Sequence, residues 1–489
     1  MMSLLFVLLA VQDSAVQEAR LRAHVEFLAS DALEGRGTGE SGCETAAVYI
    51  ESRLRSWGLA VESHWFEVPA GSRPGPTRLM RVGLAVADAP IDVEAVPAAF
   101  SGNGSVQGVA AASGAVGLDG WIAVIPGGNP HRDDRAAVLD AVRAGAQGAV
   151  IVEEGTDTLV YEDQATASVP VPVVRTRGPV ELGAGWSLTA HVEHQRVRVR
   201  NLLAVVPGGQ AAGRVVMGAH YDHLGRGRRG SSLAPDKAGE VHNGADDNAS
   251  GTAAVLEAAR LLSIGERPER EVVVAFFAAE EKGLLGSAAL LEERFLDPGS
   301  VAAMVNLDMV GRSQGGSLQV GGAGTAAALK VVVEQANAEE GVGLDLTVSS
   351  GGASVGGSDH MSFAAKDIPN LFFFTGLHAE YHRPEDDVGL VNFPDLARIT
   401  RLAVATVRGL GTVPATELAW IQPPPPKNPR TTSFRVRLGT IPDYSDHPQG
   451  MRITGVSEGS PAAVAGLKSG DVLTGMGDVE IESVYDLTY

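Results

Sequence analysis

A single cysteine, Cys43, in 489 residues excludes an intramolecular disulfide and a cysteine-based zinc centre. Stability must therefore come from burial or from bound metal. Basic residues are scarce as well: 39 Lys and Arg stand against 59 Asp and Glu, a formal charge of −20. Nucleic-acid binding needs concentrated Lys and Arg, so no nucleic-acid partner is expected. Aromatics make up only 5% while 60 glycines and 44% hydrophobic residues remain, the balance of a globular, loop-rich, Ala/Val-based protein. Long apolar runs are missing too. The run Leu4–Val11 falls far below the roughly 20 residues of a membrane span. It reads instead as the core of a signal peptide at residues 1–14, which points to a secreted or periplasmic protein with no stable membrane span.

The length predicts more than one domain. Residues 15–60 place apolar side chains at three- and four-residue spacing in "VQEARLRAHVEFLAS" and "ETAAVYIESRLRSWGL", the pattern of amphipathic helices. Residues 85–195 change to short Val/Ala/Gly strands with one helical stretch, "AAVLDAVRAGA", and read as an inserted small α/β or β-rich module without a cluster of acids and histidines. Strands then alternate with helices up to about residue 412, which predicts an α/β fold with a mainly parallel sheet flanked by helices. The expected core domain is thus 15–84 joined to 196–415. "IQPPPPKNP" marks 416–430 as a Pro-rich linker, and 431–489 is strand-like, glycine-punctuated and expected to be a truncated domain.

In an open α/β sheet ligands bind beyond the carboxyl ends of the strands. Here "VVMGAH" ends in His220, "VVVAFFAAEE" in Glu280 and Glu281, and "AAMVNLD" in Asp308. The loop "LHAEYHRPEDD" holds His378 and His382, and "HNGADDNASGTA" sets Asp246 and Asp247 just before a helix. Nitrogen and oxygen donors without sulfur suit zinc, manganese or cobalt. Three carboxylates and a bridging hydroxide neutralise two divalent ions, whereas one ion leaves excess negative charge. His220 and Asp222, two apart on an extended strand, share a face, so Asp222 is expected to accept from the ring N–H of His220 or of another ligand, and His223 to face away. Glu280 and Glu281 diverge on an extended backbone. One of them should bind metal while the other takes a proton from an activated water.

Seven motifs in order, "FLASDALEGRGTG", "GAHYDHLG", "NGADDNASG", "AAEEKGLLGS", "NLDMVGR", "GGSDHMSF" and "YHRPEDD", resemble the M28 family of co-catalytic zinc peptidases over most of residues 20–412. The resemblance implies two zinc ions, one held by His220, Asp247 and Asp308 and the other by Asp247, Glu281 and His382, with Asp247 bridging. It makes Glu280 the general acid/base, Asp222 its supporting acid, and Tyr381 a donor to the tetrahedral intermediate. Asp246, His242, His360 and His378 match no ligand position. Residues 85–195 resemble a protease-associated domain. The tail resembles a PDZ domain, in which Leu438, Gly439 and Thr440 would capture a peptide C-terminus.

The implied activity is that of an aminopeptidase acting on peptides. A carboxypeptidase on the same core needs a cation for the substrate's carboxylate, for which Arg312 and Arg383 are the candidates in sequence. A glutaminyl cyclase-like transferase goes with one functional zinc, and a non-enzymatic peptide-binding scaffold with lost ligands. The complete ligand set disfavours both.

Overall fold

The computed structural model describes residues 16–422 apart from 83–89, 114–119, 128–133, 154, 156–158, 160–167, 210, 229–231 and 350–356, and beyond them 438, 440–442, 451–456, 461–468, 470–476 and 479–481. The expected signal segment, the four linker prolines 423–426 and Gly439 lie outside the described residues.

Two compact units emerge. One joins the chain up to Phe66 with Arg198–Pro429 and Gly439–Tyr489, and the other joins the insertion Glu67–Val197 with Arg430–Leu438. The first contains the α/β fold that the alternation predicts. Its strands are β1 (Val61–Pro74) and β2 (Val192–Val206), of which the parts up to Phe66 and from Arg198 belong to this unit, with β3 (Arg214–His220), β4 (Glu271–Phe277), β5 (Val301–Leu307), β6 (Ser317–Gly321), β7 (Asp345–Val348) and β8 (Asn370–Phe374). They form one sheet in the order β1-β2-β4-β3-β5-β8-β6-β7. The central four, β4, β3, β5 and β8, run parallel, with Met217 opposite both Val274 and Val305 and Val305 opposite Leu371. Such strands are covered on both faces, which explains why "EVVVAFF" and "VAAMVNL" read as apolar runs instead of alternating.

Helices supply the cover. They are α1 (Glu18–Leu28), α2 (Ser41–Ser56), α3 (Gly251–Ile264), α4 (Leu285–Glu292), α5 (Leu329–Asn337), α6 (His360–Ala364) and α7 (Phe393–Thr412). Val216, Val273, Ala275, Phe277 and Met304 pack with Leu290 and Leu291 of α4 and Phe363 of α6. The other face is covered by α3, whose residues Gly251–Leu262 are all buried, and α3 packs on α7. Each fully buried Val, Leu or Phe contributes about 1.5–3 kcal/mol, so this two-sided burial holds the strand ends in fixed register.

The inserted unit begins earlier than residue 85, because Arg78–Val82 pairs with Gly185–Ala190 in its own sheet. That sheet also carries Trp121–Pro126, Ala146–Val152 and Val173–Thr176 in parallel, and the helix Asp134–Arg143 buries Val138 and Ala141 against Trp121, Ile125 and Ile151. In the tail, Met451–Val456 pairs antiparallel with Thr440–Pro442 and with Val472–Leu473 around Met451, Ile453 and Ile481. No described helix is long and apolar enough to cross a membrane.

Candidate metal centre and active site

The four parallel strands deliver their polar residues to one place. His220 is the last residue of β3, Asp308 follows β5 directly, Glu280 and Glu281 follow β4, and His382 lies in the loop after β8. Asp247 comes from the turn Ala245–Ser250 that opens α3. Nε2 of His220 stands 3.3 Å from Oδ1 of Asp247 and 3.2 Å from Oδ1 of Asp308. On the other side of the same aspartate, Nε2 of His382 is 3.2 Å from Oδ2 of Asp247 and 3.4 Å from Oε2 of Glu281. Two clusters therefore share Asp247 through different oxygens. Glu280 stands over the first, its Oε2 3.9 Å from Nε2 of His220.

Neighbouring groups fix these ligand atoms. Nδ1–H of His220 donates to the main-chain carbonyl of Asp222 at 3.1 Å, which leaves Nε2 for the cluster. This corrects the expectation for Asp222, whose carboxylate lies 3.8 Å from that ring nitrogen. Strand β3 stops at His220, so the alternation that would put both side chains on one face no longer applies. The Asp222 carboxylate accepts instead from the Glu280 main-chain N–H at 3.2 Å and the Thr38 hydroxyl at 2.5 Å. It thereby positions the proposed base. Asp308 is held through Oδ2 by the Ser358 hydroxyl at 2.7 Å, and Ser358 in turn accepts from Asn306 at 2.8 Å. Asp386 accepts from the main-chain N–H groups of Asp246 and Asp247 at 2.9 and 3.1 Å.

Electrostatics follow from this crowding. Burial alone would raise the Asp247 carboxyl, but His220, His223 and His382 reverse that and hold it well below its usual range. For Glu280 burial wins and, with Glu281 and Asp308 nearby, pushes the carboxyl well up in spite of His220. Burial, and then the surrounding carboxylates, keep the Tyr381 phenol protonated far above its ordinary value. Tyr381 stacks on the His382 ring at 3.8 Å.

Beside the clusters lies a cavity of about 150 Å³ whose lining includes the polar Asp247, Glu280, Asp308, Ser358 and His382 and also Met309, Phe372, Phe374, Leu377 and Tyr381. Phe372 and Phe374 face it together because they are two apart on β8.

Residues 201–407 match the family model "Peptidase family M28". This segment is an M28 peptidase domain. The chain is also 37% identical over 120 residues to leucine aminopeptidase 1 of Ajellomyces capsulatus strain H88, a stretch that is 24% of this chain and 29% of that protein. It is 38% identical over 121 residues to a probable zinc metalloprotease of Leptosphaeria maculans, 24% of this chain and 26% of that one. The chain thus spans less than a third of the length of these relatives. In fold it is similar to an aminopeptidase from Aneurinibacillus sp. strain AM-1, with a TM-score of 0.53 and 23% identity over 81% of this chain and 94% of that one. A zinc aminopeptidase from Bacillus subtilis gives 0.52 and 22% over 82% and 98%.

Within the M28 domain the remaining polar residues fall into place. Asp246 accepts from the Gly311 N–H at 2.6 Å and lies 3.3 Å from Nε2 of His378, whose other nitrogen faces Glu380 at 3.2 Å. His242 contacts the Ser232 hydroxyl at 2.8 Å, and His360 stacks on Phe372. None of these four enters either cluster. Arg36, Thr38, Ser358 and Asp386 were present in the motifs, but their partners are distant in sequence and no local pattern assigns them a role. His223 departs from expectation more sharply: it turns inward, with Nδ1 2.8 Å from Oε1 of Glu281.

Burial opposes charging His382, yet Glu281 and Asp247 outweigh it and push the ring up to about 11. An ion bound at Nε2 of His382 would have to displace that proton. Calorimetry of zinc binding at pH 7 in buffers of different ionisation enthalpy should therefore show proton release. A heat independent of the buffer would contradict it. In the metal-free protein the stability contributed by His382 is complete below its ordinary value near 6.5 and is lost as pH rises through about 11.

Proposed function

We propose that the M28 domain is a two-zinc aminopeptidase that removes apolar residues from the N-termini of peptides. The observation that carries the reading is the pair of ligand groups sharing Asp247, with His220 and Asp308 on one side and Glu281, His382 and His223 on the other, and with Glu280 beside them at the edge of a half-apolar cavity. The atoms of His220, Asp247 and Asp308 lie within 4.8 Å of one another, and their nitrogen and oxygen chemistry fits zinc. In this reading the second position is held by Asp247, Glu281 and His382. Zinc bound there supplies Lewis acidity that polarises the scissile carbonyl and makes water a nucleophile near neutral pH.

The chain's own residues do the rest. Glu280 takes a proton from the attacking water and returns it to the amine nitrogen as the C–N bond breaks. Its raised pKa moves it toward the range in which a general base works best. Asp222 aims it through the main-chain N–H. Tyr381, protonated throughout, donates to the oxygen of the carbonyl as negative charge develops there. Met309, Phe372, Phe374, Leu377 and Tyr381 receive the first side chain.

The cavity's charge favours cleavage from the N-terminus. Among the described residues its lining contains carboxylates and no Arg or Lys, a setting for an α-ammonium group. Arg312, the cation a carboxypeptidase would use, is 2.7 Å from Glu380 and 3.8 Å from Asp386. The test is mass spectrometry of one peptide, free and N-acetylated, incubated with the zinc-loaded protein and with Glu280→Gln. Stepwise N-terminal loss from the free peptide alone, absent in the variant, is expected. C-terminal trimming of both forms would move the assignment to a carboxypeptidase, and cleavage of neither would remove the peptidase reading.

A further inference from the structure

His223 is buried at the metal centre and has no part in the roles above. It lies within 4.8 Å of ligand atoms of Asp247 and Glu281, near enough to be a ligand itself, but its individual distances differ from those of His382. Two atoms bound to one tetrahedral zinc at about 2.0–2.1 Å stand roughly 3.3 Å apart. The spacings of His382 to Asp247 and Glu281, 3.2 and 3.4 Å, have that size and use Oε2 of Glu281. His223 meets the opposite oxygen, Oε1, at 2.8 Å, the distance of a hydrogen bond, and lies 3.8 Å from Asp247. A carboxylate only accepts, so Nδ1 carries the proton.

The fold holds the ring in that position. The His223 N–H donates to the Arg36 carbonyl at 3.0 Å, tying the loop to the Gly35–Gly39 turn. The ring packs against Gly244, where an added Cβ would lie 2.5 Å from its Cδ2. It meets the His382 ring edge-on at 5.9 Å. Its Nε2 has no hydrogen-bond partner among the described residues, so the polar hold on the ring runs through Glu281.

We infer that His223 is a positioning residue: its Nδ1–H holds Oε1 of Glu281, leaving Oε2 directed toward His382 and Asp247 for the second zinc. The inference rests on the two-zinc reading. Hydrogen bonds of this kind typically change metal affinity by about 10–100-fold when removed.

Asn and Leu have nearly the same shape, and the Asn amide can reach the position of Nδ1, so His223→Asn keeps a donor that His223→Leu lacks. Each protein is dialysed against chelator-buffered zinc, its metal content measured, and the visible spectrum of the cobalt-substituted form recorded. Wild type should hold two ions. His223→Leu should lose one of them at free zinc about 10–100-fold higher than wild type does, with a changed cobalt spectrum, and His223→Asn should recover most of the affinity. Equal affinity in wild type and Leu would overturn the inference. So would equal losses in Leu and Asn, which would mean that the ring itself is the ligand. Metal-free melting curves check folding, and if the Leu variant does not fold, His223→Ala takes its place against Asn. A wild-type protein that takes up no zinc defeats the underlying reading, and that result is seen before any variant is compared.

Discussion

Replacing Glu280 by Gln is expected to lower kcat by about 10²–10⁴-fold while leaving zinc content and KM nearly unchanged. Gln has the same size and keeps an oxygen, but its amide cannot take the water's proton and return it to the leaving amine. The positioning contact survives, because Asp222 accepts from the main-chain N–H of residue 280 and not from its side chain. His220 is 3.9 Å from Glu280 and is held by the Asp222 carbonyl, so the first cluster should keep its ion. Steady-state kinetics on an unblocked dipeptide amide, with metal analysis of the same sample, separate the two effects. Activity within a few-fold of wild type would remove Glu280 from the proton-transfer role. Loss of zinc together with activity would make it a ligand instead.

What could be read in advance follows the physics of the fold. Parallel strands buried on both faces appear in sequence as apolar runs, and the polar residue that ends each run must lie at the carboxyl edge of the sheet. His220, Glu280, Glu281 and Asp308 were legible for that reason, and all four meet there. His223 was not legible. Alternation assumes that the strand continues, whereas β3 ends at His220 and the next residues follow the Gly35–Gly39 turn. Phe372 and Phe374 share a face with period two, but periodicity does not say which face meets the cavity and which the core. The start of the insertion was placed late because Val61–Pro74 is one continuous strand across the point where one unit gives way to the other, and its Pro69, Gly71 and Pro74 do not interrupt it.

Arg36 is the clearest residue that no local pattern reveals, and its removal should have the largest effect on stability. The Glu34–Arg36 stretch is left-handed, with φ of 49°, 74° and 48°, and turns the Arg36 side chain inward until it is 1% exposed. Its guanidinium donates to the carbonyls of Tyr221 at 2.9 Å, Asn243 at 2.8 Å and Gly244 at 2.9 Å, and also to that of Leu28. One planar cation thus ties α1 to the segments just before Asp222 and just before Asp246 and Asp247. Arg36→Met keeps the length of the side chain and removes every donor. Each buried carbonyl left unpaired costs about 1–3 kcal/mol, and the acids Asp247, Asp386 and Asp222 lose a nearby positive charge. Because the loops can relax, the total should be about 3–5 kcal/mol, the size found when one partner of a buried charged network is removed. That corresponds to a melting temperature lower by about 5–8 °C. Arg36→Lys should fall between, since an ammonium group cannot reach three or four carbonyls in one plane. Thermal melts of the metal-free and zinc-loaded proteins give the measurement. If the main-chain segments Arg36 holds also set the ligand positions, zinc should stabilise the Met variant less than wild type. A melting temperature within a degree or so of wild type would mean that water replaces the guanidinium at no cost, and that the buried cation is not what joins these loops to the metal centre.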